Sequence, residues 1–487
     1  MPPSSVRSKA AAAEPKSYGE TDESARIARI ENGLLPAVAI KGQPTPTMAI
    51  ADQMKHYHVP GVSIAFFGRG RILWTRTYGF ADVANKIPVA TETLFQAASI
   101  SKPVSALAAL RLVQEGKLRL DDDVNAKLHS WRLPENEFTK EQQVTLRRIL
   151  SHSAGLTVHG FPGYAAGEPL PTVVQILNGE KPANNEPVRV DVVPGTIERY
   201  SGGGYVLMQL LLTDVVGKPY PQLLHDLVLE PAGMTHSTYE QPLPGGLSSV
   251  ATTPYRGDGE PVKGGWHTYP EMAAAGLWTT PSDLALLAIE VQKEHAGKSN
   301  KILSQEMMRQ MLTHQKDDVG LGFFLESAGH ARRFGHTGSN EGFNCDLEAY
   351  IKSGQGLAIM TNSENAWWGL IPEIFRAVAK EYDWPDYRPV ERTIVRIDPA
   401  LLSIYSGTYE APGEDRQTVT TKGGKAYIQA DPIGPEPVEL FPESDTRFFT
   451  LVNSDVSIVF QKDEKGAATK LIIRVGSRQV FEYKKRL

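Results

Sequence analysis

The 487-residue sequence predicts an α+β fold: an antiparallel sheet flanked by helices, an all-helical subdomain beside the sheet, and a small β-barrel at the C-terminal end. Three observations predict it. Strand patterns occur early in the chain and return between residues 320 and 362, a helical and loop-rich region separates them, and short strand patterns follow the last long helix. We therefore expect one mixed unit followed by one all-β unit.

The first elements are a polar leader, a helix and a hairpin. Residues 1–30 carry charges and few apolar side chains, which predicts a flexible leader. Apolar residues at helical spacing after Met48 predict a helix that ends before Pro60. Two strand patterns joined by "GRG" at 68–70 then predict a β-hairpin.

The middle of the chain is predicted to be helical. Leu107 and Leu110 share one face of a helix that ends at Gly116. The region from about 120 to 275 combines loops with further helical patterns. Antiparallel strands are predicted between 320 and 362, and the pattern "WWGLIPEIFRAVAKEYDW" then predicts a closing amphipathic helix.

A domain boundary is predicted within "WPDYRPVERT", residues 384–393. We assign residues 31–388 to the mixed unit and 389–487 to a separate unit. The second unit consists of short strand patterns separated by Gly and Asp turns, which is typical of a small β-barrel or sandwich.

Composition excludes several classes of function. The chain is 41% hydrophobic and 22% charged, and its net charge of −5 provides no basic face for nucleic acid. No stretch is apolar for long enough to span a membrane. The single cysteine, Cys345, excludes an internal disulfide. His56 and His58 lack a third metal ligand, so we predict neither a metal site nor a cofactor.

The sequence gives a conditional expectation for localisation. As written, the N-terminus has no apolar segment of the kind found in a secretory signal, which predicts a cytoplasmic protein. The protein would be periplasmic or secreted if a signal peptide had been removed.

Ser99 and Lys102 form the only S-x-x-K in the chain. Residues three apart on a helix share a face, so the lysine amine can reach the serine hydroxyl. Apolar neighbours would lower the pKa of the lysine and make its amine available as a base. Taken alone, the tetrapeptide favours the plainer alternative, an N-cap serine followed by an exposed lysine.

Two further segments contain candidate residues. Tyr200 precedes Ser201-Gly202 and a long apolar helix, and a phenol beside a lysine can act as a general acid or base. The same tripeptide recurs at residues 405–407, where we expect a turn at a strand edge. The block "FGHTGSNEGF" contains His336, and its glycines would allow a substrate backbone to pair with a strand. Alone, this histidine is more typical of a structural residue.

The order of the three segments resembles that of the serine β-lactamase and penicillin-binding protein superfamily. The resemblance is closest to its class C branch, which includes D-alanyl-D-alanine carboxypeptidases, D-aminopeptidases and family VIII-type esterases. It covers residues from about 45 to 385. "LRRILSHSAGL", "PGTIERYSGGGYVLMQ" and "AAAGLWTTPSDLALL" are similar to the family blocks L-L-x-H-T-S-G-L, P-G-x-x-x-x-Y-S-N-x-G-Y and A-G-G-L-x-S-T-x-x-D-L.

The resemblance implies a role for each candidate. Ser99 would be the acylated nucleophile, Lys102 would activate it, and Tyr200 would pass the proton to the leaving group. The resemblance also implies a supporting set around these three. It comprises His336, Thr337 and Gly338 on a substrate-binding strand, Gly202 at the substrate-binding position after Tyr200-Ser201, the backbone N–H groups of Ser99 and Ser339 as an oxyanion hole, and a structural role for His152.

Two departures from the family pattern bear on the substrate. Gly202 replaces the asparagine of Y-S-N, which removes a side-chain amide that commonly holds a substrate amide carbonyl. Losing such a donor typically costs about 1–3 kcal/mol. His336 replaces the usual lysine and would give a weaker, pH-dependent charge for a substrate carboxylate. Both departures argue against an efficient β-lactamase.

We therefore expect a serine hydrolase that acts through an acyl-enzyme on esters or on D-amino-acid amides or peptides. The alternatives are a class C-type β-lactamase or DD-carboxypeptidase, and a non-catalytic binding relative. The expected partner is a small ester, β-lactam or D-peptide substrate, and a homo-oligomer is left open. The C-terminal unit resembles the lipocalin-like barrel of some relatives, which can overhang the catalytic mouth.

Overall fold

A computed structural model of the chain describes residues 20–326, 331–411, 416–430, 437–476 and 479–486. Its helices are α1 (Glu20–Glu31), α2 (Ile50–His56), α3 (Ser101–Gln114), α4 (Glu137–Glu141), α5 (Leu146–Leu150), α6 (Val173–Asn178), α7 (Gly202–Val216), α8 (Tyr220–Leu224), α9 (Glu230–Ala232), α10 (Met272–Ala275), α11 (Pro281–His295), α12 (Gln305–Met311), α13 (Leu370–Glu381) and α14 (Pro399–Ser403).

The strands fall into one central sheet, one barrel and two short pairs. They are β1 (Val38–Ile40), β2 (Gly61–Gly68), β3 (Arg71–Asp82), β4 (Ile87–Pro88), β5 (Phe95–Gln96), β6 (Trp278–Thr279), β7 (Phe324–Glu326), β8 (Arg333–Asn340), β9 (Phe343–Tyr350), β10 (Gly356–Thr361), β11 (Val390–Arg392), β12 (Gly407–Glu410), β13 (Arg416–Lys422), β14 (Lys425–Ala430), β15 (Val438–Pro442), β16 (Arg447–Phe449), β17 (Val456–Lys462), β18 (Ala468–Val475) and β19 (Gln479–Lys485).

The central sheet has seven antiparallel strands in the order β4-β3-β2-β10-β9-β8-β7. Strand β10 joins the early hairpin to the late strands, because Ile359 pairs with Ile64 on one side and with Asp346 on the other. Residues 89–323, between β4 and β7, contain most of the helices, and the chain returns after them to complete the sheet. The predicted α+β class is confirmed.

Helices cover both faces of the sheet. On one face, α3, α7 and α11 pack in the largest apolar core, to which the sheet contributes Ala65, Phe67 and Leu347. On the other face, α1, α2 and α13 pack against Ile64 and Phe66. Alternate residues of β2 therefore point into opposite cores, as the period of a strand requires.

The predicted flexible leader is wrong for residues 20–30. Residues from Glu20 onward form α1, and Ile27 and Ile30 are buried against α13. The side chain of Arg29 pairs with Glu381 at 2.9 Å, which fixes the helix at its polar edge. The apolar residues are few, but they lie on one face of a helix, and the leader interpretation overlooked that spacing. Residues 1–19 lie outside the described residues.

The C-terminal strands β12 to β19 form a closed eight-stranded barrel, which confirms the predicted barrel. Its interior is filled by apolar and aromatic side chains, among them Tyr405, Tyr409 and Phe460. The barrel meets the rest of the molecule beside the parallel pair of β1 and β11, where Ala37 N–H donates to Leu451 O at 3.0 Å. The exact unit boundaries remain predictions.

None of the helices in the described residues has the length and apolar character needed to cross a bilayer.

Candidate active site

Ser99 lies in a short 3₁₀ turn, Ala98–Ile100, that leads directly into α3. The sequence predicted that this serine lies on the helix, and the structure places it in the turn immediately before the first residue of α3. Ala98 adopts a positive φ of 48°, a conformation that non-glycine residues rarely adopt and that is often found at functional sites. The residue before the candidate nucleophile is therefore held in a strained backbone by the packing around it.

Lys102 lies in the first turn of α3 and points at Ser99. Its Nζ is 2.9 Å from Ser99 Oγ and donates to Ala274 O at 2.9 Å. The residue is 2% exposed, and this burial lowers its pKa to about 7. A neutral amine bonded to Ala274 O still presents its lone pair to the Ser99 hydroxyl, as a general base requires.

Tyr200 immediately precedes α7 and covers the pair. Lys102 Nζ is 4.7 Å from the centre of the Tyr200 ring. Burial raises the pKa of Tyr200 above its usual value, although the nearby Ser99 hydroxyl partly offsets this increase, so the phenol keeps its proton at neutral pH. The three candidate catalytic side chains therefore meet in one place.

His152 supports Tyr200 from below. Its ring lies 4.3 Å from the Tyr200 ring, and its Nδ1 accepts the N–H of Ser201 at 3.2 Å. Burial lowers the pKa of this imidazole well below its usual value, so the ring is neutral. The structure thus gives the histidine of "LSHSAGL" a specific position beneath the tyrosine.

Strand β8 forms the opposite side of the site and passes very close to the nucleophile turn. A Cβ atom added to Gly338 would lie 2.3 Å from Ala97 O and 2.5 Å from Cys345 Sγ. Only glycine permits this approach. It brings the exposed Ser339 to the same cleft as Ser99. The backbone of this strand therefore lies beside the candidate nucleophile.

His336 does not provide the charge that the sequence suggested. The side chain is 2% exposed, and its Nδ1 lies 2.6 Å from Thr337 O, so Nδ1 carries the proton and Nε2 is an acceptor. Burial and the nearby Lys102 lower the pKa of His336 to about 3. The imidazole is neutral at physiological pH, and the expected cation for a substrate carboxylate is absent at this position.

These residues line a cleft of about 410 Å³. The predicted residues in its lining are Ser99, Lys102, Tyr200, His336, Thr337, Gly338 and Ser339. Gly202, which was predicted to belong to the substrate-binding set, is buried behind the lining in the first turn of α7. A Cβ atom at Gly202 would meet the ring of Phe161 at 3.0 Å.

The cleft also contains residues that the sequence analysis missed. His159, Phe161, Phe324 and Trp367 contribute aromatic rings to its lining. The ring of His159 lies 4.9 Å from that of Tyr200, and Phe324 stacks at 6.3 Å on the other side. His159 and Phe161 occur in a loop, Phe324 begins the edge strand β7 and Trp367 lies in a 3₁₀ turn, and none belongs to a motif of its own. The short separation of His159 and Phe161 from the "HSAGL" block, and of Phe324 from the "GHTG" block, could have indicated those three, but no signal indicated Trp367.

Comparison with protein families gives two matches. The family described as "Beta-lactamase" matches residues 48–367. A domain of unknown function (DUF3471) matches residues 391–486, which include the barrel strands. The first match spans the central sheet, the helices from α2 to α12 and every candidate site residue.

Several known proteins are similar to this chain. "Penicillin-binding protein 4*" of Bacillus subtilis (strain 168) is 26% identical over 443 residues, which cover 84% of this chain and 92% of that protein. Among solved structures, the octameric penicillin-binding protein homologue from Pyrococcus abyssi has a TM-score of 0.59 and 21% identity, and covers 89% of this chain and 98% of its own. D-amino acid amidase from Ochrobactrum anthropi SV3 has a TM-score of 0.55 and 23% identity, with 69% and 96% covered.

These similarities confirm the resemblance drawn from the sequence blocks and confirm the predicted fold. The lipocalin-like character of the barrel stays a prediction. The roles of the individual site residues also remain predictions, which the geometry above supports.

Proposed function

The chain belongs to the beta-lactamase family, and we propose that this serine hydrolase cleaves ester or D-amino-acid amide and peptide substrates through an acyl-enzyme on Ser99. The observation that carries the proposal is the contact of 2.9 Å between Lys102 Nζ and Ser99 Oγ, in surroundings that lower the pKa of the amine to about 7. A substantial fraction of the amine is then neutral at physiological pH and able to accept a proton.

In the acylation step, Ser99 Oγ attacks the substrate carbonyl carbon while Lys102 Nζ takes the hydroxyl proton. The negative charge that develops on the carbonyl oxygen would be held by the backbone N–H groups of Ser99 and Ser339. Tyr200, which retains its phenolic proton, then donates it to the leaving group as the bond to the acyl carbon breaks. The ester of Ser99 and the free leaving group are the products of this step.

Deacylation reverses the direction of proton transfer. Acylation leaves Lys102 protonated and Tyr200 as a phenolate, so Tyr200 accepts a proton from the water molecule that attacks the acyl carbon. Lys102 returns a proton to Ser99 Oγ when the ester bond breaks, and the acid product leaves. Because the same two side chains handle protons in both steps, removing either should impair both.

The alternative function, a class C-type β-lactamase or a penicillin-binding DD-carboxypeptidase, is favoured by the names of the relatives. The cleft opposes it, since His336 is neutral and cannot attract a carboxylate. Within the proposed substrates, the fold shared with D-amino acid amidase makes D-amino-acid amides a class to test. The octameric homologue likewise makes oligomer formation a proposal for this chain.

The test of the proposed function is covalent labelling followed by intact-mass measurement. Ser99→Ala should abolish labelling by a fluorophosphonate and hydrolysis of p-nitrophenyl acetate. Ser403→Ala, which changes an exposed serine in α14, should leave both unchanged. A Ser99→Ala protein that is still labelled, or still turns over the ester at the wild-type rate, would place the nucleophile elsewhere.

The same wild-type protein distinguishes the substrate classes. We expect turnover of p-nitrophenyl acetate to exceed that of a D-alanyl anilide and of a chromogenic cephalosporin. Cephalosporin turnover far above ester turnover would support the alternative function and contradict ours.

A further inference from the structure

The catalytic cleft has an unusual distribution of charge and aromatic surface. We use the name aromatic wall for His159, Phe161, Phe324 and Trp367, all of which line the cleft. Among the described residues of the lining, Lys102 is the only one of a charged type, and it is occupied by Ser99 and Ala274. A charged substrate group placed against this wall would lose water and gain no ionic partner.

Phe161 is placed by its contact with Gly202. A Cβ atom at residue 202 would lie 3.0 Å from Phe161 Cε2 and 3.1 Å from His159 O, closer than ordinary van der Waals contact. The glycine therefore creates the space in which the Phe161 ring lies. The ring in turn occupies the direction in which a longer side chain at 202 would point.

The segment that carries Phe161 is firmly held against the start of α7. Gly202 N–H donates to His159 O at 3.0 Å, and Gly203 N–H donates to Val158 O at 3.0 Å. Ser201 Oγ donates to Thr157 O at 2.7 Å. Val158 has a φ of 65°, which is strained for a β-branched residue and persists because these bonds fix it.

We propose that Phe161, which packs against Gly202, determines substrate specificity. It selects substrates whose acyl group is uncharged and apolar, and among these it favours acyl groups that contain an aryl ring. The inference rests on the proposed function, because it assumes that the acyl group is transferred to Ser99. The Phe161 ring and the neighbouring rings of the wall would stack on such a group. A carboxylate or ammonium in the same place would be desolvated without compensation.

The first experiment compares p-nitrophenyl esters that share a leaving group and differ in the acyl group. In the wild type we expect kcat/KM for the phenylacetate to exceed that for the hemisuccinate at least tenfold. Phe161→Ala should lower the ratio of phenylacetate to acetate about tenfold, because it removes an apolar contact with the larger acyl group. Phe161→Leu should lower the ratio less.

The matched control is Phe481→Ala, which truncates an exposed phenylalanine in the barrel and should leave the ratio unchanged. A Phe161→Ala ratio within twofold of wild type would overturn the inference, as would a wild-type preference for the hemisuccinate. Neither result would affect the proposed function, which is tested separately by the activity and labelling of Ser99→Ala and by the comparison of ester with cephalosporin turnover.

The second experiment tests whether Gly202 acts through Phe161. Gly202→Ala should push the ring aside and lower the phenylacetate-to-acetate ratio about threefold, whereas in the Phe161→Ala background it should have no further effect. Gly245→Ala adds a methyl group where a Cβ atom has open space, and serves as the control. Equal effects of Gly202→Ala in both backgrounds would show that Phe161 does not transmit the change.

Discussion

The tripeptide Tyr-Ser-Gly occurs twice in the molecule, and its two copies have different surroundings. At Tyr200 it opens α7, and the phenol lies over Lys102 beside Ser99. At Tyr405 it follows α14, and the ring is stacked in the barrel core, 4.2 Å from Phe460. The hydroxyl of Tyr405 donates a hydrogen bond to Asp445 O, which is a structural contact.

Both tyrosines lie near a lysine, so the presence of a lysine does not explain the difference. Lys462 Nζ is 5.3 Å from the Tyr405 ring centre, which is close to the 4.7 Å of the catalytic copy. Lys462 is partly exposed, whereas Lys102 is 2% exposed and has a serine hydroxyl at 2.9 Å. Burial of the amine and the third residue, Ser99, distinguish a candidate catalytic site from a packing contact.

The largest expected difference between the copies is in activity. Tyr200→Phe removes the proposed proton donor and should lower kcat for p-nitrophenyl acetate by about a thousandfold, within the usual range for general acid–base groups. Tyr405→Phe removes a hydroxyl far from the cleft and should leave kcat within twofold of wild type. Both rates are measured by release of p-nitrophenol.

The matched change in the barrel also has a stability readout. Loss of the Tyr405 hydroxyl leaves Asp445 O without that donor, which should cost about 1 kcal/mol. If the two variants lost similar amounts of activity, the loss in Tyr200→Phe would reflect reduced protein stability and would not support a catalytic role for Tyr200. Full activity of Tyr200→Phe would assign the proton transfer to another group.

The sequence predicted the catalytic half of the cleft better than the aromatic wall, for a physical reason. Ser99 and Lys102 share a local helical geometry, so three residues of sequence are enough to bring them together. The contact of Phe161 with Gly202 joins residues 41 apart through a strained loop, and no local rule predicts it. Gly202 was identified as a departure, but the ring that fills its space was not.

Charge was harder to predict than position. His336 was expected to carry a pH-dependent charge because histidine often does so. In the structure, His336 is buried between Lys102 and the strand backbone. Because burial lowers its pKa, the imidazole is neutral and the expected charge is not present. The strands of the sheet were predictable from their sequence patterns, whereas α1 was missed because its few apolar residues form a single narrow face.

The next expected effect is on the pH dependence of the rate. Lys102 must be neutral to act as a base, and its pKa is lowered to about 7, so kcat/KM should rise with pH up to about 7 and then level off. Below that pH, the rate should fall about tenfold per pH unit. The imidazoles of His152, His159 and His336 all have lowered pKa values, so they have already lost their protons before Lys102 does.

The comparison predicts that Lys462 does not contribute to this profile. Lys462→Ala should reproduce the wild-type curve of kcat/KM against pH. Because burial raises the pKa of Tyr200, we expect no decline up to about pH 10. A rising limb near pH 10 instead of pH 7 would show that Lys102 is not desolvated during catalysis.

The smallest expected difference concerns the serines of the two copies. Ser201 Oγ accepts the N–H of Gly204 at 3.0 Å as the N-cap of α7 and donates to Thr157 O, and the residue is 4% exposed. Among the described residues, the one hydrogen-bond partner of Ser406 Oγ is the Thr421 hydroxyl, at 3.1 Å near the surface. Ser201→Ala should therefore cost about 1–2 kcal/mol of stability and lower the midpoint of thermal unfolding by a few degrees, whereas Ser406→Ala should stay within about 0.5 kcal/mol of wild type.

Because Ser201 also holds the segment that leads to Phe161, Ser201→Ala should in addition reduce the preference for phenylacetate over acetate. Equal unfolding midpoints for the two variants would mean that α7 does not depend on its cap, and that the position of Tyr200 is fixed by His152 and the core alone.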